Sequence, residues 1–145
     1  MSITLRQVNK KNVDECLKLE LSKEQEGFVA PNTYSVIAGL FYDNWNSRCI
    51  CNDDRIIGFL LYGTEDDSNR TMLLRYMIDK NYQGKGYGKE TLLKLFDLIR
   101  IEYGNIKFYT IVSPENAAAS KLYEKVGFIK TEEMMWDETL MEIQL

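Results

Sequence analysis

Hydrophobic residues recur along this chain with two periods, and each change of period marks an element boundary. Residues 2–8 alternate apolar and polar and read as a first strand. Asn12, followed three residues later by Glu15, offers a capping pair for a helix to about Leu21, with faces set by Cys16, Leu17, Glu20 and Leu21. Residues 22–31 form a charged loop around Gly27 and Phe28. Asn32 can cap a second helix, in which Val36, Ile37, Leu40 and Phe41 recur at helical spacing. Residues 47–51 and 55–62 read as strands joined at Asn52, Asp53 and Asp54, a hairpin signal. A polar loop at 64–70 leads into a strand at 71–78, buried by its run of apolar residues. The pattern Leu92, Leu93, Leu95 and Phe96 starts a helix that runs to about Tyr103 and ends at Gly104-Asn105. Residues 107–112 alternate again as a strand. Asn116 can cap a helix through Val126, stopped by Gly127, and 128–136 with 139–145 close as a hairpin around Asp137-Glu138. The order β-α-α-β-β-β-α-β-α-β-β predicts an α+β domain: a mixed sheet with helices on both faces.

Size and charge narrow the function. With 145 residues, 16.9 kDa and no linker, repeat or low-complexity stretch, the chain is expected to be one domain, residues 1–145. A net charge of −4 and a pI near 5.0 argue against a nucleic-acid partner, which selects a basic patch. The same balance suits a cationic small substrate. The first nine residues carry no apolar signal-like core, and no apolar run is long enough to cross a bilayer, so neither membrane nor export is expected and the cytoplasm is. Cys16, Cys49 and Cys51 are odd in number, lack C-x-x-C spacing, and have no histidine to join them in a metal site. No metal is expected, the thiols read as buried and reduced, and no mechanism here uses a histidine base.

The stretch that organises the rest is Tyr82-Gln83-Gly84-Lys85-Gly86-Tyr87-Gly88-Lys89-Glu90, set between the buried strand and its following helix. A glycine loop in that place offers unpaired backbone N–H groups to an anion. Spacing excludes two common anions. For a nucleotide P-loop, Gln83 stands where its first glycine belongs and Glu90 replaces the Ser/Thr. For a dinucleotide or kinase loop the third glycine comes one residue early. What fits is Gln-x-x-Gly-x-Gly, through Gln83, Gly86 and Gly88.

That pattern resembles the pyrophosphate loop of the GNAT superfamily of acyl-CoA-dependent N-acetyltransferases. A second stretch resembles the family's other signature, N-x-x-A-x-x-L-Y-x-x-x-G-F, through Asn116, Ala119, Leu122, Tyr123, Gly127 and Phe128. The resemblance implies the GNAT fold, with a central, mostly antiparallel mixed sheet, and acetyl-CoA as co-substrate. It also implies site residues. The main chain of Gln83, Gly84, Lys85, Gly86, Tyr87, Gly88 and Lys89 would hold the pyrophosphate, with charge from Lys85 and Lys89. Asn116 would face the cofactor. Backbone N–H groups of Met77 and Ile78, freed by a bulge, would meet the oxyanion. Tyr123 would protonate the departing thiolate, a transfer that a phenol of pKa near 10 can make to a thiol of about 8.5.

The acceptor amine is read from 24–32, which looks like the Q-x-x-F-V-x-x-N segment of bacterial GNAT enzymes that acetylate spermine and spermidine. A flexible polycation calls for spaced carboxylates and an aromatic surface, and Glu24, Glu26, Phe28 and Tyr34 could supply them, with field from the acidic loop Glu65-Asp66-Asp67. One departure stands against this: an acidic residue often precedes the equivalent of Arg75 in those enzymes, and this chain has Leu74 there. The general base is left open. So are a protein N-terminus or another small amine as acceptor, a non-catalytic acyl-CoA-binding module, and a homodimer.

Overall fold

The computed structural model describes residues 2–22 and 32–145. Its elements follow the expected order: β1 Ile3–Gln7, α1 Val13–Leu17, α2 Asn32–Phe41, β2 Trp45–Asn52, β3 Arg55–Glu65, β4 Arg70–Ile78, a 3-10 turn Lys80–Tyr82, α3 Tyr87–Tyr103, β5 Lys107–Val112, α4 Ala117–Lys125, β6 Ile129–Met135 and β7 Glu138–Gln144. The strands form one sheet in the order β1-β2-β3-β4-β5-β7-β6. All neighbours are antiparallel except β4 and β5. That one parallel pair is where the chain crosses over through α3.

Each face of the sheet carries its own apolar layer. On one, α3 buries Leu92, Leu95, Phe96 and Ile99, and α4 buries Tyr123, against Leu60, Leu73, Phe108 and Met141. Phe96, Phe108 and Phe128 meet there at centroid distances of 5.6 to 6.3 Å, which suits edge-to-face aromatic packing. On the other face, Cys16 of α1 and Val36 and Ala38 of α2 pack on Cys49, Cys51, Phe59, Leu61, Met77 and Leu140. All three cysteines are buried, and none forms a disulfide. The hydrogen bond between Cys16 and Cys49, together with burial, pushes the Cys16 thiol up.

Helix α1 and helix α2 depart from the sequence expectation. Helix α1 spans five residues rather than reaching Leu21. Asn12 does not cap it through its side chain: Asn12 Oδ1 accepts from the Asn9 N–H at 2.8 Å and Nδ2 donates to the Gln7 carbonyl at 2.9 Å. The side chain is therefore spent on the β1–α1 turn, and no capping box with Glu15 remains. Helix α2 turns its large apolar residues outward, with Ile37, Leu40 and Phe41 respectively 50%, 78% and 79% exposed. Its small residues lie against β2 instead: Ser35 and Ala38 are buried, and a Cβ at Gly39 would collide with Ser47 Oγ. Close approach of two backbones favours small side chains at the contact, so of the four periodic residues only Val36 is buried against the sheet.

The β2–β3 turn follows the expected chemistry, with Asp53 at a left-handed φ of 53°. The β6–β7 turn falls one residue earlier than Asp137-Glu138, with Trp136 and Asp137 at φ of 51° and 63° and Glu138 already in β7. Two successive positive-φ residues twist a two-residue hairpin the way its strands need.

Candidate active site

Strands β4 and β5 stay paired over only two residue pairs, Met72 with Tyr109 and Leu73 with Thr110. Beyond Leu73 they diverge, and the gap between them opens into a cavity of about 740 Å³. Its walls are the last six residues of β4, the glycine loop, the end of β5, one face of α4 and Glu138 at the start of β7. The bulge expected at Met77 and Ile78 lies earlier. Leu61 pairs with Arg75 and Tyr62 with Leu73, which leaves Leu74 as the extra residue. Leu74 is buried in the α1/α2 layer, consistent with a residue that has slipped to the other side of the pleat.

The parity of the ladder decides which backbone groups face the gap. The Asp79 N–H donates to the Ile57 carbonyl at 2.7 Å, so the pairs two residues apart share that bonding and Met77 turns its N–H toward Phe59. Ile78 then points its N–H and C=O away from β3 and toward the gap. The Ile78 carbonyl accepts from Gln83 Nε2 at 2.8 Å, as that orientation requires. Of the expected pair, Ile78 offers its N–H and Met77 does not. Tyr76, on the same parity, turns its N–H to the same side.

The glycine loop is braced from behind by a residue that the motif did not include. Buried Asp79 caps the 3-10 turn by accepting from the Asn81 N–H at 2.9 Å, and its other oxygen accepts from the Glu20 N–H at 2.9 Å. Gly84 and Gly86 hold φ of 74° and 86°, a region closed to most side chains, and nothing lies within 4 Å of a Cβ built on Gly84. Gly86 caps α3 with no side-chain hydrogen bond, and the Gly86 carbonyl first accepts from the Glu90 N–H at 3.4 Å. The N–H groups of Tyr87, Gly88 and Lys89 precede that bond and have no partner inside the helix. A Cβ on Gly88 would sit 2.7 Å from the Tyr76 hydroxyl and 3.1 Å from Leu122 Cδ2, so glycine lets the helix N-terminus approach β4 and α4.

Not every residue of the loop faces the cavity. Gln83, Gly84, Gly86, Gly88 and Lys89 line it, as do Met77, Ile78 and Asn116. Lys85 and Tyr87 do not. Lys85 Nζ lies over the Tyr82 ring, 5.8 Å from its centroid, and the Tyr87 hydroxyl accepts from Asn52 Nδ2 at 3.3 Å on the β2 side. Asn116 caps α4 through its side chain, which accepts from the Ala119 N–H at 3.3 Å, and so serves the helix while lining the cavity.

Tyr123 reaches the gap from the α3/α4 face. Only 6% of it is exposed, and its ring packs edge-on against Phe128 at 5.6 Å. Burial pushes its phenol up to about 12, against the opposing effect of a hydrogen bond with Thr110; the negative charge of Glu138 also raises it. The group therefore stays protonated at neutral pH, which is the state an acid needs. A second tyrosine stands beside it. Tyr76 lies 6.5 Å from Tyr123 by ring centroids, and its buried hydroxyl finds no partner among the described residues. Burial, and then the nearness of Tyr123, raises its pKa.

On the α1/α2 side, Arg75 lines the cavity with its Nη1 on the Leu74 carbonyl at 2.6 Å, while its buried Nε has no partner among the described residues. Its guanidinium lies over the ring of Tyr34, 5.7 Å from the centroid; Tyr34 itself does not line the cavity. The other expected substrate residues, Glu24, Glu26 and Phe28, lie outside the described residues. The acidic loop is placed elsewhere. Glu65 is buried, and its carboxylate accepts from the N–H groups of Asp67 at 2.8 Å and Ser68 at 2.9 Å. These bonds, with Arg70, hold its carboxyl below the usual range despite the opposing effect of burial. The loop sits at the far end of β4 from the glycine loop, roughly 25 Å of strand away. Glu138 is the carboxylate that sequence reading passed over, because Asp137-Glu138 looked like turn chemistry. It is half-buried, lines the cavity, and burial pushes its carboxyl up against the opposing charge of Arg75. Among the described residues no group of three or more His, Cys, Asp or Glu is placed to hold a metal ion, and no helix is long and apolar enough to cross a membrane.

This arrangement has relatives. Residues 14–128 match the model of the Acetyltransferase (GNAT) family. A probable spermine N(1)-acetyltransferase of Bacillus subtilis subsp. natto is 30% identical, with 88% of each chain covered. Among solved structures, the PaiA N-acetyltransferase of Thermoplasma acidophilum in complex with coenzyme A superposes with a TM-score of 0.74 at 18% identity over the whole of both chains. An aminoglycoside acetyltransferase AAC(6')-Ib, in complex with ribostamycin and coenzyme A, does so with a TM-score of 0.81 at 18% identity, covering 99% of this chain and 94% of that one. The chain belongs to the GNAT acetyltransferase family and is an acyl-CoA-dependent N-acetyltransferase.

Proposed function

We propose that the protein transfers the acetyl group of acetyl-CoA to a primary amine of a polyamine such as spermidine or spermine. The observation that carries the chemistry is the convergence, on one cavity, of the α3 N-terminus, the Ile78 N–H and the Tyr123 phenol. The reading of the acceptor is supported by the 30% identical relative named for spermine.

The residues fit the cofactor. Among the described residues the cavity wall carries Arg75, Lys89 and Lys125 against one carboxylate, Glu138, a balance that suits a polyanion. Unpaired N–H groups at the start of a 17-residue helix, with its dipole, suit a pyrophosphate. Lys89 adds charge from inside the cavity, whereas Lys85 acts from outside it. Acetyl-CoA supplies a thioester, whose carbonyl is open to an amine that has lost its proton. Ile78 donates its N–H to charge developing on the carbonyl oxygen, and this donor is fixed in a strand before reaction starts. Tyr123 gives its proton to the departing sulfur. The ring of Tyr34 meets methylenes of the acceptor in this reading, supported by its contact with Arg75, and Glu24, Glu26 and Phe28 remain assigned to the wall on sequence pattern alone.

The test is turnover with a panel of acceptors under saturating acetyl-CoA, read as release of coenzyme A thiol. Spermidine or spermine should exceed an aminoglycoside, an amino acid and a peptide N-terminus by about tenfold or more in kcat/KM. No turnover with either polyamine, alongside turnover with another amine, would overturn the acceptor and leave the acetyltransferase standing.

A further inference from the structure

The alternation of side chains along β7 and β4 brings one carboxylate and one guanidinium to the same side of the gap. Leu140 is buried in the α1/α2 layer, so Glu138, two residues before it on β7, projects from that same face. Met77 belongs to that layer too, so Arg75, two residues before it on β4, also points there. The two residues stand on opposite banks of the gap and line the same cavity. Tyr123 enters from the other face, and the charge of Glu138 acts on its phenol through the gap.

Glu138 is the sole carboxylate among the described residues of that wall. It makes no hydrogen bond or ion pair with them. Its groups in view are Arg75 from β4 and Tyr123 from α4, and the Arg75 charge acts on it without the two closing to an ion pair. A half-buried carboxylate left in this state is poised for a cation from outside. The extra residue of the bulge offers none of that: Leu74 is buried, apolar and carries no charge.

We propose that Glu138 holds the ammonium of the acceptor at the gap and takes its first proton. This rests on the acetyltransferase reading above, and it assigns the general base and amine anchor that the motifs left open. The N–H bond gives its electron pair to nitrogen and its proton to the Glu138 carboxylate. The freed pair forms the C–N bond as the C–S bond breaks. Tyr123 gives its phenolic proton to sulfur and is restored by the second proton of the amine. Glu138 releases its proton to solvent, so one proton leaves per turnover. Burial, which pushes the Glu138 carboxyl up, narrows the mismatch with an ammonium whose pKa is near 10.

Glu138→Gln tests this with two acceptors, spermidine and a monoamine such as butylamine. At neutral pH kcat/KM for both should fall about a hundredfold, while thermal stabilisation by acetyl-CoA stays as in the wild type. The loss should shrink by about tenfold per unit as pH rises toward the amine pKa, because solvent then supplies the neutral amine. Glu138→Asp should recover part of the loss at neutral pH. Wild-type kcat/KM in the Gln variant, or a loss of the same size at every pH, would overturn the proposal. A wild type that prefers butylamine to spermidine would sink the polyamine reading alone, and the Glu138 effect on butylamine would still stand.

Discussion

The two faces of the sheet solve opposite problems. On the α3/α4 face, where we propose the cofactor binds, the parts are backbone: glycines at φ of 74° and 86°, a bare helix N-terminus and a strand N–H. On the α1/α2 face, where we propose the acceptor binds, the parts are side chains: Arg75 on Tyr34, and Glu138 across the gap. Backbone geometry demands particular residues at particular spacings, whereas side-chain recognition can come from any strand or loop that happens to point inward. The first face is therefore legible as a motif. The second is assembled only when β4, β7 and α2 are placed together.

That contrast can be broken at its strongest point in the glycine loop. Gly86→Val puts a branched side chain at φ 86°, which an L-residue with a β-branch cannot hold, and displaces the N–H groups at the start of α3. Differential scanning fluorimetry should show the rise in Tm with acetyl-CoA abolished, whatever the Tm of the unliganded variant. Retention of the full rise would mean that the α3/α4 face does not carry the cofactor.

The next effect sharpens the division of labour within that face. Tyr123→Phe keeps the ring against Phe128 and removes one proton. Its kcat should fall by about a hundredfold, roughly 2.7 kcal/mol of transition-state stabilisation, with KM for acetyl-CoA little changed. Because burial holds the phenol up to about 12, this proton is retained through about pH 10, and the wild-type rate should show no alkaline fall from Tyr123 below that. An unchanged kcat in the variant would leave Tyr123 as packing and turn attention to Tyr76, whose hydroxyl is buried beside Gly88 without a partner among the described residues.

The smallest expected effect lies on the other face. Leu40→Ser and Phe41→Ser should each change stability by no more than about 0.5 kcal/mol, since both side chains are more than three-quarters exposed. Phe96→Ala, buried under α3, should cost about 3–5 kcal/mol in the same denaturant titration. A loss at Leu40 or Phe41 approaching that of Phe96 would mean that α2 packs its large residues after all.

What the sequence determined by itself is the succession of elements and the glycine loop that lines the cavity. Strand β5 falls on the residues that periodicity assigned, Lys107–Val112, and α3 ends at Tyr103 as expected, because a periodic run and a glycine stop are local signals; α3 starts at Tyr87, inside the glycine motif and ahead of the Leu92 pattern. Asn116 caps α4 and Gly127 ends it at φ 116°, again through local backbone needs. Tertiary structure decided the rest. The outward turn of Ile37, Leu40 and Phe41 depends on how closely Gly39 lets α2 approach Ser47, which no local pattern records. The slip of the bulge to Leu74 depends on the register between β3 and β4, and it changes which N–H groups face the gap. Lys85 and Tyr87 lie within the motif yet turn away from the cavity, because a tight loop points successive residues to different sides. Glu138 stands 64 residues in sequence from Leu74, where the polyamine enzymes that this chain resembles often carry an acid. Only the docking of β7 against β5, with Thr139 beside Val112, brings its carboxylate to the gap. Local order is a property of neighbours in the chain, but an acceptor site is a property of neighbours in space.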